Sequence, residues 1–153
     1  MKGFHFRLES VLSLRRHKEE MRQTRLAQSL RSLEAEKNRL ESIENNLKMG
    51  LARLAANVQP GELDIGAIGL ESSYLQHMEA ELREQRKRVE AWERQVAEDI
   101  DALLKASRDR KALEKLKESW KTAFLREATR KEQNGAEEIA MTRYLINQGA
   151  EVD

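Results

Sequence analysis

Apolar residues recur along this chain every seven positions. The leucines at 26, 33, 40, 47 and 54 form one series, with Leu12 in phase and Glu19 breaking it. Leu30 and Leu51 fall at a companion position four residues on. A seven-residue apolar repeat keeps one stripe of a helix facing a partner in a left-handed supercoil. The pattern predicts a first helix from Phe6 to about Asn57. It fails at Gln59-Pro60-Gly61, which reads as a turn, and Gly66 and Gly69 follow closely. Asp64 is placed to cap what comes next. A second series then runs through Leu75, Leu82, Val89, Val96 and Leu103. Met78, Trp92, Leu113 and Trp120 mark a neighbouring stripe, and Ile100 a companion position. The second helix is predicted from about Ile65 to about residue 148. Asn134-Gly135 is the one place where it would end or kink.

Two long helices joined by a short turn fold back on each other. With the turn centred near residue 61, partners have numbers adding to about 122. Leu47 then meets Leu75, Leu40 meets Leu82, Leu33 meets Val89, Leu26 meets Val96, and Leu30 faces Trp92. Two independent repeats fall into register around one turn, which parallel dimers of each helix would not require. The predicted fold is all-α: a single domain over residues 1–153, a long antiparallel two-helix coiled coil or helical hairpin. Helix one covers about 6–57, the turn about 58–64, and helix two about 65–148. The second helix is longer and is expected to run past the first from roughly residue 118, leaving Trp120 available for docking.

Composition narrows the class. Charged residues make up 36% and aromatics 5%, which suits a helical pair burying a seam and not a deep core. There is no cysteine, so disulfides and thiolate metal sites are excluded. No apolar run approaches the ~20 residues of a membrane span. The start, Met1 to Arg7, lacks the apolar core of a signal peptide. A soluble cytoplasmic protein is expected, reaching a membrane only through a complex.

Net charge is +1, but unevenly spread. Residues 1–31 carry eight Lys/Arg against three acids, residues 32–101 nine against fifteen, and residues 102–153 eleven against nine. In a hairpin the two basic flanks share the open end, and the acidic stretch covers the turn end. The gathered charges, Arg7, Arg15, Arg16, Lys18, Arg22 and Arg25 beside Arg108, Arg110, Lys111, Lys115 and Lys117, should repel one another until an acidic partner offsets them.

Catalytic chemistry has no foothold. His5, His17 and His77 lack metal-ligand spacing, and there is no HExxH, no P-loop and no nucleophile elbow. No enzyme activity, cofactor, metal or small-molecule substrate is expected. Basic residues before heptad leucines suggest a bZIP factor, but Glu19 and Glu20 interrupt the run. No Asn is placed to read a base edge. Specific nucleic-acid binding is therefore not expected.

The run Phe4-His5-Phe6-Arg7-Leu8-Glu9-Ser10-Val11-Leu12, with Arg15-Arg16 and Glu19-Glu20, resembles the FliJ family of flagellar export proteins. So do the block from Tyr74-Leu75 to Trp92, the stretch Arg110 to Glu118, and Glu137-Glu138-Ile139-Ala140. The resemblance covers essentially the whole chain and rests on the combination of motifs. It implies a cytoplasmic, non-enzymatic stalk of the type III export machine. Such a stalk enters the ring of the hexameric flagellar export ATPase, contacts the cytoplasmic domain of the membrane export gate, and engages export chaperones. By position, the gate contact falls on Leu47, Leu51, Tyr74, Met78, Glu81 and Gln85. The ATPase contact falls on the open end: Arg7, Arg15, Arg16, Arg22, Arg108, Arg110, Lys111, Lys115 and Trp120. Leu47 and Leu51 stand where the family commonly has aromatics, and Asn134-Gly135 replaces a more helix-compatible stretch. The alternatives are the equivalent stalk of a virulence secretion system and an unrelated coiled-coil scaffold.

Overall fold

The computed structural model describes residues 3–58, 61 and 64–151. It holds two helices, α1 (Glu9–Asn57) and α2 (Ile65–Glu151), packed against each other, with no strand among the described residues. The fold is thus the expected all-α pair with the longer second helix. Of the turn signal, Gln59 and Pro60 lie outside the described residues. Gly61 has φ of +119°, a conformation that only glycine adopts without strain. Asp64 caps α2: its Oδ1 accepts from the Ala67 amide at 3.3 Å and its carbonyl from the Ile68 amide at 3.0 Å. Asn134-Gly135 neither ends nor breaks α2, which continues to Glu151. One glycine lowers helix propensity without forbidding the conformation.

The chain divides into two compact units, Lys18–Ala106 and Met1–His17 with Ser107–Asp153. Within Lys18–Ala106 the helices run antiparallel. Arg53 pairs with Glu71 at 3.0 Å, Arg39 with Glu81 at 3.6 Å, Glu36 with Gln85 and Ser29 with Asp99. Their numbers add to 124, 120, 121 and 128, against the expected sum of about 122, so the register is met within six residues. Ile43, Met78 and Leu82 form the core cluster, with Leu40 and Leu47 packed against it. Gly50 lets the helices close: a Cβ there would lie 2.7 Å from the Leu75 Cδ2.

The companion stripe on α1 is not the one expected. Leu30 and Leu51 are 47% and 50% exposed. The inward positions lie three residues after each leucine, not four: Ser29 and Ile43 are buried, Gly50 is buried, and Arg22 and Glu36 are half-buried. The same holds on α2, where Asp99 is buried and Ile100 is exposed. The reason is pairwise. Turning α1 this way sets Ser29 against Asp99 and Glu36 against Gln85, so the buried Asp99 carboxylate and the Gln85 amide nitrogen meet partners, while Gln85 Oε1 has none among the described residues. Glu19, which breaks the leucine series, is still buried in that phase.

The other unit starts with chain that is not helical. Helix α1 begins at Glu9, three residues later than expected. Residues 3–6 carry no regular structure, and the Glu9 amide donates to the Phe6 carbonyl at 3.1 Å. Phe6 is buried and stacks edge-on against Trp120, with ring centres 5.3 Å apart. Phe4 meets Phe124 at 5.8 Å. Non-helical chain advances up to about 3.3 Å per residue against 1.5 Å in a helix. The first residues therefore cover α2 as far as Phe124, where a helical start would have run out near residue 118. From 125 onward every described residue is exposed except Ala128 and Gly135.

Candidate interaction surfaces

The basic residues of the unit Met1–His17 with Ser107–Asp153 are not a bare repelling patch. Arg15 reaches Asp109 at 3.3 Å, Arg16 reaches Glu114 at 3.5 Å, and Lys117 reaches Glu9 at 2.8 Å. Arg110 binds Glu114 at 2.7 Å, and this bond, with Arg16 adding to it, holds the Glu114 carboxyl below its usual range. The expected self-repulsion is thus largely offset inside the chain by three acids that the charge count hides. Solvent screens ion pairs of this half-exposed kind, so they arrange charge more than they stabilise.

What the pairing leaves outward is a smaller set. Arg108, Lys111 and Lys115 are exposed. Arg7 lies over the Trp120 ring, 5.7 Å from its centre. Trp120 is accordingly covered by Phe6 and Arg7 and half-buried, not the ring left uncovered beyond the first helix that the repeat predicts. Arg22 lies in the other unit, half-buried in the seam phase.

The residues carried over for gate contact all fall in Lys18–Ala106. Met78 and Gln85 are 6% and 1% exposed. Gln85 Nε2 donates to the Glu36 carbonyl at 3.0 Å and to its carboxylate. Both side chains belong to the hairpin interior. Leu47 is half-buried against the core cluster. Leu51 and Tyr74 are exposed, and Glu81 is half-buried beside Arg39. Arg53 sits 5.9 Å from the Tyr74 ring centre while bonding Glu71 at 3.0 Å. Sequence reasoning passed over Arg53 and the strongly exposed Ile65 and Leu70. Their signal was available: Ile65 and Leu70 are large apolar residues off the seam phase, so no partner inside the hairpin accounts for them.

No helix among the described residues is long and apolar enough to cross a membrane. No curated protein matches the chain. A solved structure from Chlamydia trachomatis, described as a YscO homolog, shares the fold at a TM-score of 0.66 and 19% identity, over 95% of this chain and 98% of that one. The family model of the flagellar FliJ protein matches residues 4–149. With nearly the whole chain matched in sequence and the same helical pair in structure, this chain belongs to the flagellar FliJ family.

Proposed function

We propose that the chain is a non-enzymatic stalk of the flagellar type III export apparatus, binding the hexameric export ATPase with one unit and the export gate with the other. The observation that carries this reading is the tail of α2. Residues 125–151 form a continuous helix that is almost wholly exposed, with no packed partner among the described residues, and it continues the helix that carries exposed Arg108, Lys111 and Lys115. A helix so exposed gains little stability from its own sequence and calls for a partner. A ring pore lined with acidic and apolar groups would supply one. The second surface, Leu51, Tyr74 and Leu70, is apolar with a cationic flank at Arg53, as a protein contact needs. Glu81 belongs to its rim, while Leu47, Met78 and Gln85 shape it from beneath. Chaperone engagement and a cytoplasmic location at the inner membrane follow from the same reading.

The test is turnover by the cognate export ATPase with and without the purified chain. The chain alone should hydrolyse no ATP and should raise the ATPase rate. A chain ending at residue 124 should fail to raise it. An unchanged rate with saturating full-length chain would refute the stalk reading. The likeness to the YscO homolog keeps a virulence-system stalk as the second reading. Deletion separates the two: loss of flagellar assembly supports the first, and loss of effector secretion with normal flagella supports the second.

A further inference from the structure

The tail of α2 has its own heptad pattern, one residue out of phase with the seam that precedes it. Leu125, Glu132, Ile139 and Ile146 are seven apart, and so are the small residues Ala128, Gly135, Thr142 and Gly149 three positions on. The large apolar members are exposed, Ile146 at 65%. Gly135 is unexplained within the chain: a Cβ there would meet nothing within 4 Å. A glycine weakens a helix interior, so an absent side chain facing open space suits a close approach by something else.

We propose that this tail pairs antiparallel with the same tail of a second copy of the chain, about a two-fold axis between Gln133 and Asn134. The tail is complementary to itself. In that register three of the four large residues face a small one: Ile139 faces Ala128 of the second copy, Leu125 faces Thr142, and Glu132 faces Gly135, where the missing side chain leaves its carboxylate a path to water; the fourth, Ile146, faces the aliphatic stem of Lys121. On the flank, Lys131 meets Glu138 of the second copy, and Leu145 meets Phe124. Two-fold symmetry repeats every contact, so each favourable pair counts twice. Parallel pairing is worse on both counts. It sets Glu132 against its own copy and stacks Ala128, Gly135 and Thr142 into layers with nothing to fill them. The pairing uses residues the hairpin leaves unpartnered, and it holds whether or not an ATPase ring is a competing occupant.

The experiment uses the full chain alone, which has no cysteine to interfere. Ala128→Cys and Ile139→Cys chains, made separately and mixed under mild oxidant, should form a disulfide-linked heterodimer, and neither alone should crosslink. A bond formed by Ala128→Cys alone would mean parallel pairing and overturn the proposal. Sedimentation gives the second readout. Lys131→Glu should weaken dimerisation about tenfold, Lys131→Glu with Glu138→Lys should restore it, and Gly135→Leu should abolish it while raising helicity. A wild-type chain that stays monomeric, or a dimer indifferent to Gly135→Leu and Lys131→Glu, overturns it.

Discussion

Asp99 shows how much one side chain decides. Ser29 Oγ donates to its Oδ2, Gln95 Nε2 donates to Oδ1 at 3.0 Å, and Arg25 stands 3.4 Å from Oδ1. The Ser29 bond is the main reason its carboxyl sits below the ordinary range, with Gln95 and Arg25 adding to the effect against the cost of burial. A carboxyl held low in the folded state stabilises that state above its unfolded pKa of about 3.9 and loses the benefit as pH falls through the lower folded value. Asp99→Asn should therefore lower the melting temperature near neutral pH, and the gap from wild type should shrink as the solution is acidified below about pH 4. A gap that stays constant down to full carboxylate protonation would show that ionised Asp99 adds nothing. Nothing in the local sequence marked Asp99 as interior. Its neighbour Ile100 has the larger claim on hydrophobicity, and the choice went to the residue with a partner across the seam.

At the scale of the helix pair, Ser29–Asp99 and Glu36–Gln85 are polar layers inside an apolar repeat. A repeat of seven allows slippage by one heptad with every leucine still facing an apolar residue, and buried polar pairs penalise that slip. Ser29→Leu with Asp99→Leu should raise stability by roughly 1–3 kcal/mol, since apolar packing commonly exceeds a buried polar pair. It should also loosen register. Chains carrying Leu33→Cys and Val89→Cys should crosslink internally with high yield, and in the Leu-substituted background Leu33→Cys should begin to capture Val96→Cys as well. A single register in both backgrounds would mean that the turn alone fixes alignment. The non-helical start of the chain is a second element-scale device. Phe6→Ala should uncover Trp120, read in a Trp92→Phe background as a red shift of fluorescence, with about 2–4 kcal/mol lost locally. No shift would mean that Phe6 does not shield the ring.

At the scale of the whole molecule, the proposed function sets two surfaces in two units. Charge reversal at Arg108, Lys111 and Lys115 should cut ATPase binding about tenfold or more and leave gate binding within about twofold. Replacing Leu51, Leu70 and Tyr74 by Ser, Ser and Ala should do the converse. All six side chains lie outside the hairpin core, so unchanged helicity is expected and is checked first by circular dichroism. Rising salt should weaken the ATPase contact more than the gate contact, because screening acts on exposed charge and hardly on apolar burial. Equal loss of both partners by both sets would end the two-surface account.

Helix existence, approximate length, antiparallel pairing and near-register were legible from the sequence. Each depends on periodicity, which is local, and on one interruption at Pro60-Gly61. The family was legible too, from motifs whose order survives along nearly the whole chain. Within the candidate site, Tyr74, Arg108, Lys111 and Lys115 could be placed on the surface from phase and charge, and Met78 on an apolar stripe, whereas the repeat puts Leu51 in the seam and it is exposed, and Gln85 and Trp120, expected on contact surfaces, are buried and half-buried. Only the tertiary structure decided which flank of α1 turns inward, which acids thread the basic cluster, and that Phe6 leaves the helix to cover Trp120. The first two share a physical reason. A helix of this kind offers two flanks of nearly equal apolar content, and the choice between them depends on the residue that arrives from the other helix, often seventy or more positions away in the chain.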